Sequence, residues 1–214
     1  RKVAVRGDAS ARLLPFPSVT FTDVAVAGSA PGETAMTVET FSMDAELAPL
    51  LRGEVLIFDM RLVRPVAVLA MDEDGAVDWA VRPNTPFEPS QVALEKVTIT
   101  EGQVLVRHGA SGRERRLTEI NAELSAAALT GPWRIDGSLR IDGMRTALQV
   151  STGSVSETGN MRVRLRAQPE RYAFNLESDG EVGLDAGAPR YGGTFRLVER
   201  VPEPAGGEGA APAA

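Results

Sequence analysis

One histidine, no cysteine and a scatter of carboxylates bound the chemistry this chain can do. His108 precedes Gly109, and without Cys or a second His it cannot assemble a transition-metal site from this chain alone. A solvated strand end is the expectation. The densest acidic group, "DEDGAVD" with Asp72, Glu73, Asp74 and Asp78, has the charge for calcium or for a paired acid and base. Gly75 falls where a calcium loop needs another ligand, so a hairpin tip is the simpler reading. Neither G-x-S-x-G nor G-x-x-x-x-G-K-[ST] occurs, which removes the main motifs of acyl and phosphoryl transfer. Arg6-Gly7-Asp8 spells an adhesion tripeptide but reads as a strand connection. Arg162, Arg164 and Arg166 alternate with Met161, Val163 and Leu165, as in a phosphate-binding stripe or, more simply, the wet face of a strand. The expectation is a protein that is not an enzyme, with no cofactor, no metal and no catalytic residue.

The elements that would carry any site are β-strands. The 214 residues include 21 Gly and 14 Pro, are 43% hydrophobic and only 5% aromatic, and suit one turn-rich domain with an aliphatic interior. With 23 basic and 29 acidic side chains, net −6, there is no field to hold nucleic acid or an anionic membrane surface. No uncharged apolar run approaches the ~20 residues needed to span a bilayer. The chain starts at Arg1 without a signal-like segment, so the expectation is a piece of a longer protein.

Period-two alternation predicts roughly a dozen strands, among them 18–28, 38–47, 55–63, 66–72, 92–100, 103–108, 117–129, 133–142, 144–152, 161–168, 171–178 and 193–199. Asp74-Gly75, Asp142-Gly143 and Asp179-Gly180 read as hairpin turns, and the phase change at Glu101-Gly102 as another. "LAPLLRG" at 47–53 reads as one helical turn, with Pro49 at its start and Gly53 at its stop. Residues 1–200 form the expected domain, and "VPEPAGGEGAAPAA" at 201–214 a flexible linker or tail. "VTFTDVAVAG", "LIFDMRLVRP" and "VTITEGQVLV" share an alternation broken midway by an acidic residue, as a loose internal repeat would.

Between 53 and 79 the even positions Leu56, Phe58, Met60, Leu62, Val66 and Val68 are all apolar. With Val19, Phe21, Val97, Ile99, Val104, Val106, Ile135, Leu139 and Ile141 they are the candidates for an apolar binding face. From the residues alone, a closed sandwich whose two sheets cover each other explains the stripe most simply. Two features favour an open face: no helices accompany the stripe, and its side chains are the aliphatic kind that suit fluid hydrocarbon.

"LLPFPSVTFTDVAVAG", "SMDAELAPLLRGEVLIFDMRLVRPVAVLAMDEDGAVDW" and "LEKVTITEGQVLVRHGASGRERRLTEINAELSAAALTGPWRIDGSLRIDG" occur in an order and spacing that resemble the AsmA family of bacterial envelope proteins. The likeness lies in Pro17-Ser18 leading into a strand, the "PLL-R-G" turn, the strand after "RP", Asp74-Gly75 with Trp79, "VTITEG" and Leu129 to Pro132. It covers residues 13 to 158 and fades beyond. The resemblance implies an all-β chain whose long curved antiparallel sheet forms an open groove or incomplete barrel. It further implies a periplasmic, bridge-like lipid-transfer protein, held in the inner membrane by an anchor helix outside this sequence and partnered by phospholipid. A structural or assembly module of the envelope, acting through sheet edges on outer-membrane protein insertion or on other envelope proteins, is the alternative; a hydrolase of envelope polymers ranks third.

Overall fold

A computed structural model describes residues 2–28, 32–73, 76–78, 87–185 and 188–200. They form a single sheet of 14 strands, in the order β1-β3-β4-β5-β8-β9-β10-β11-β12-β13-β14. The strands are β1 (Val3–Val5), β2 (Ala9–Arg12), β3 (Ser18–Ala27), β4 (Thr34–Ala45), β5 (Val55–Val63), β6 (Val66–Met71) and β7 (Val77–Asp78). They continue as β8 (Val92–His108), β9 (Arg113–Ala126), β10 (Trp133–Ile141), β11 (Met144–Thr152), β12 (Met161–Pro169), β13 (Phe174–Asp185) and β14 (Ala188–Glu199). The sheet is curved and does not close into a barrel: β1 and β2 lie along one edge and β14 along the other. The only helical turns among the described residues are α1 (Leu47–Leu50) and the 3-10 turn Pro89–Gln91.

Sequential strands joined by short turns can pair only antiparallel, and all pairs are antiparallel except those of β5 and β6 with β8. β5 and β6 are two halves of one line between β4 and β8, interrupted at Arg64-Pro65. Asp142 and Gly143, with φ of 48° and 80°, make the tight β10–β11 turn that an Asp-Gly pair favours. The helical turn at 47–50 is also where the sequence places it, although Pro49 is its third residue rather than its first.

Two expected turns are absent. Asp179-Gly180 lies inside β13, which runs straight through to Asp185. Gly180 serves a close approach there: a Cβ would stand 2.5 Å from the Gly192 carbonyl oxygen and 2.6 Å from the Tyr191 hydroxyl. Gly180→Val should therefore lower stability by about 1–3 kcal/mol through overpacking, measured by urea unfolding; an unchanged midpoint would contradict this packing. Glu101-Gly102 also lies within a strand, and 92–100 and 103–108 join as the 17-residue β8. Glu101 sits at φ 54°, where the β8–β9 register shifts, so the phase change there is a bulge and not a turn.

Left-handed residues recur on other strands, and Glu119 again marks a register shift, there between β9 and β10. Asp23, Arg64 and Glu119 have φ of 49°, 48° and 49°. Each left-handed non-glycine residue costs about 1–2 kcal/mol, and side chains along this line brace it. Arg64 donates hydrogen bonds to both oxygens of Glu39 and one, at 3.3 Å, to Glu101. Asn121 accepts from the Glu101 amide and donates to the Glu119 carbonyl, each at 3.1 Å, while Arg140 bonds Glu119 at 3.0 Å. In two of the three loosely repeated segments, the acidic residue that breaks the alternation, Asp23 or Glu101, is one of these left-handed residues.

Candidate functional site

Cross-strand register turns local alternation into two continuous rows. The first runs Ala11, Val19, Met43, Met60, Val97, Leu124, Ile135, Val150, Leu165, Ser178, Phe195. The second, two residues along each strand, runs Ala9, Phe21, Phe41, Leu62, Ile99, Ala122, Gly137, Leu148, Ala167, Leu176, Leu197. Residues directly opposite in a ladder share a face, so both rows lie on one side of the sheet. The row between them points the other way and is wholly polar: Ser10, Thr20, Ser42, Arg61, Thr98, Glu123, Asp136, Gln149, Arg166, Glu177, Arg196. At ~4.8 Å per strand, eleven strands carry the apolar rows about 48 Å across the sheet.

The apolar face is covered at one part and open at another. Ala45, Ile57, Leu94, Val97 and Ala126 form a buried cluster, against which Met43, Met60, Leu62, Leu124, Leu129 and Trp133 pack. Beyond it, Ile135, Leu148, Val150, Leu165 and Leu176 are half-buried, while Phe195 and Leu197 are 63% and 68% exposed. Among the described residues no second sheet or helix lies over them, and no large side chain is fully buried anywhere.

Of the sequence candidates, Val19, Phe21, Met60, Leu62, Val97, Ile99 and Ile135 fall in the two rows. Val104 and Ile141 belong to a shorter line past the bulges, with Met36, Ala67, Leu117 and Met144. Val106 and Leu139 lie on the same face as Val104 and Ile141 but outside the rows, opposite Leu69 and Arg115 and opposite Thr146, whereas Val66 and Val68, opposite Gln103 and Leu105, point the other way. The even stripe also fails below Met60. The β4–β5 register shifts between Asp59 and Ile57, so Ile57 enters the buried cluster, whereas Leu56 pairs with Ala93 and Phe58 meets the edge of Phe16. Met43, Leu124, Leu148, Val150, Leu165 and Leu176 complete the rows; their alternation is visible in sequence, but only register aligns it.

On the opposite, charged face, β10 to β14 line a hollow of about 900 Å³ that includes Arg134, Asp136, Arg162, Arg164, Arg166, Glu177, Asp179 and Arg196. The arginine stripe is paired there. Arg162 donates two hydrogen bonds of 2.9 Å to Asp179, Arg164 donates one of 3.2 Å, and Arg166 lies 3.7 Å from Glu177. These bonds, that from Arg162 foremost, hold the Asp179 carboxyl below its ordinary range. A carboxylate depressed in the folded state stabilises it fully above the unfolded value near ~4, and that contribution disappears as pH falls through the folded value. Asp179→Asn should accordingly show a shallower fall of melting temperature between about pH 4 and pH 2 than the parent; equal slopes would contradict the pairing.

The remaining chemical candidates are structural. His108 ends β8, and its Nδ1 lies 3.3 Å from the Ser111 amide and 3.1 Å from its hydroxyl, within the β8–β9 turn. Arg6-Gly7-Asp8 joins β1 to β2, its amides bonded to the Asp23 and Thr22 carbonyls and to the Thr22 hydroxyl. Asp72 accepts from the Ala76 amide at 2.8 Å and donates its own amide to Ala76, as a hairpin tip does. Asp74, Gly75, Trp79 and the tail at 201–214 lie outside the described residues. Among the described residues no three His, Cys, Asp or Glu gather as metal ligands, and no helix is long and apolar enough to cross a membrane. Comparison with protein-family models, curated proteins and solved structures found no match.

Proposed function

We propose that the chain is a section of a bridge-like lipid-transfer protein of the bacterial periplasm, carrying phospholipid acyl chains along its apolar face between inner and outer membranes. The observation that carries this reading is the pair of rows that run over eleven strands, apolar but for the buried Ser178 on β13, with no second layer over β10 to β14 among the described residues. Moving a sixteen-carbon chain through water costs on the order of 12 kcal/mol at ~0.8 kcal/mol per CH₂. A continuous apolar path removes that barrier without chemistry, so the reading needs no catalytic residue and no cofactor. The resemblance to the AsmA family points the same way and adds the anchor in the inner membrane. Organic extraction of the natively purified protein should release phospholipid at a substantial molar fraction; lipid-free protein under gentle purification would count against it.

A role as an envelope assembly module is the second reading, and the observation that favours it is the open edge strand β14, exposed from Pro189 to Glu199. Protein without lipid that captures a β-strand partner would support this over a conduit.

A further inference from the structure

The two edges of the sheet are built differently. At one, the chain is broken into β1 and β2, of three and four residues, separated by the Arg6–Asp8 connection. Short, interrupted edge strands protect against pairing. At the other, β14 runs for 12 residues with only Pro189 near its start, and nothing pairs its outer side among the described residues. Both apolar rows end there, at Phe195 and Leu197, with most of each side chain in water.

We propose that β14 pairs antiparallel with β14 of a second copy of this chain, joining two sheets into one. The residue pattern selects a register. Opposite residues must share a face, so the numbers of a facing pair must sum to an even value if the apolar rows are to continue from one copy into the next. A sum of 386 sets Arg190 against Arg196 twice, 392 sets Arg196 against itself, and 390 sets Arg190 against Arg200. Like charges directly opposite are unfavourable. A sum of 388 avoids all of these and overlaps residues 189 to 199. Phe195 then faces Gly193, Arg196 faces Gly192, Leu197 faces Tyr191, Val198 faces Arg190 and Thr194 faces itself on the two-fold axis. Large side chains thus stand opposite glycines, and a threonine pair sits at the centre. Tyr191 is already fixed for this by its hydroxyl contact with Ser178. The inference rests on the strand edge and not on lipid, so it can fail or stand independently of the proposed function.

The absence of cysteine makes the test direct. Opposed residues in an antiparallel pair have Cα atoms about 4.5–5.5 Å apart, within disulfide range. Thr194→Cys should oxidise to a covalent dimer in most chains, whereas Ser10→Cys on the opposite edge should not cross-link. Without any cysteine, the parent should sediment as a dimer at micromolar concentration, and Thr194→Lys, which places two ammonium groups on the axis, should weaken association at least tenfold. A parent that stays monomeric at all concentrations would overturn the proposal. So would cross-linking only between Ser10→Cys and Thr194→Cys, which would show edges joined head to tail.

Discussion

Val97→Asp should remove a large part of the chain's stability. Val97 is 6% exposed and sits among Ala45, Ile57, Leu94 and Ala126, a buried hydrophobic cluster. Its row neighbours Met60 and Leu124 pack against the same cluster, and neither offers a donor to a carboxylate. An unpaired buried carboxylate costs at least about 3 kcal/mol whether it stays charged or takes a proton. In a chain of this size that is a fall of about 6–12 °C in melting temperature, and it removes a large part of a typical total of ~5–15 kcal/mol. Circular dichroism melting of the purified variant measures it. A melting temperature within two degrees of the parent would mean that the cluster is not a core.

Leu148→Asp, on the same face three strands away in sheet order, should do the reverse and separate fold from function. Leu148 is half-buried, and its ladder neighbours are Gly137 and Ala167, whose small side chains leave room for water beside a carboxylate. The expected stability loss is below about 1.5 kcal/mol, since a partly solvated charge escapes most of the desolvation cost. Lipid co-purifying with the variant should fall at least fivefold, because the charge lies within the second row, in its uncovered part. Leu62→Asp should fall between the two, since Leu62 belongs to that row but also packs against the buried cluster. A variant of Leu148 that melts as low as Val97→Asp would indicate close packing over the whole apolar face. One that folds and keeps its lipid would remove the rows from the transfer path.

The fold class was legible because alternation and turn chemistry are local. Asp142-Gly143 lies between strands whose apolar phase resets, and the tight turn falls there. Asp179-Gly180 carries the same dipeptide but is held in a strand, since Gly180 is needed for its closeness to Gly192 and Tyr191 and Asp179 is bonded by two arginines across the ladder. Those are tertiary facts with no local signature. The break at Glu101 was likewise visible as a phase change, while its nature, a bulge in a 17-residue strand, depends on partners in β9. The candidate face was legible residue by residue but not as a path. Met60 and Leu62 alternate as expected, yet the shift near Phe58 hands the buried position to Ile57. Leu148, Val150 and Leu165 join them only because the register of β9 to β12 stacks one strand on the next. The hollow on the charged face comes from long side chains of five consecutive strands, which a one-dimensional pattern records only as wet positions.

The central claim is that the apolar face of β10 to β14 holds hydrocarbon and not another layer of protein. A photo-activatable side chain placed in turn at positions 148, 149 and 150, in protein expressed in its envelope setting and irradiated before lysis, reads this face directly. Positions 148 and 150 belong to the two apolar rows and 149 to the polar row between them. Phospholipid attached at 148 and 150 but not at 149 is the expected result. Attachment at 148 and 150 only to polypeptide, with lipid at none of the three positions, would show that protein covers the face and that the chain is not a lipid path.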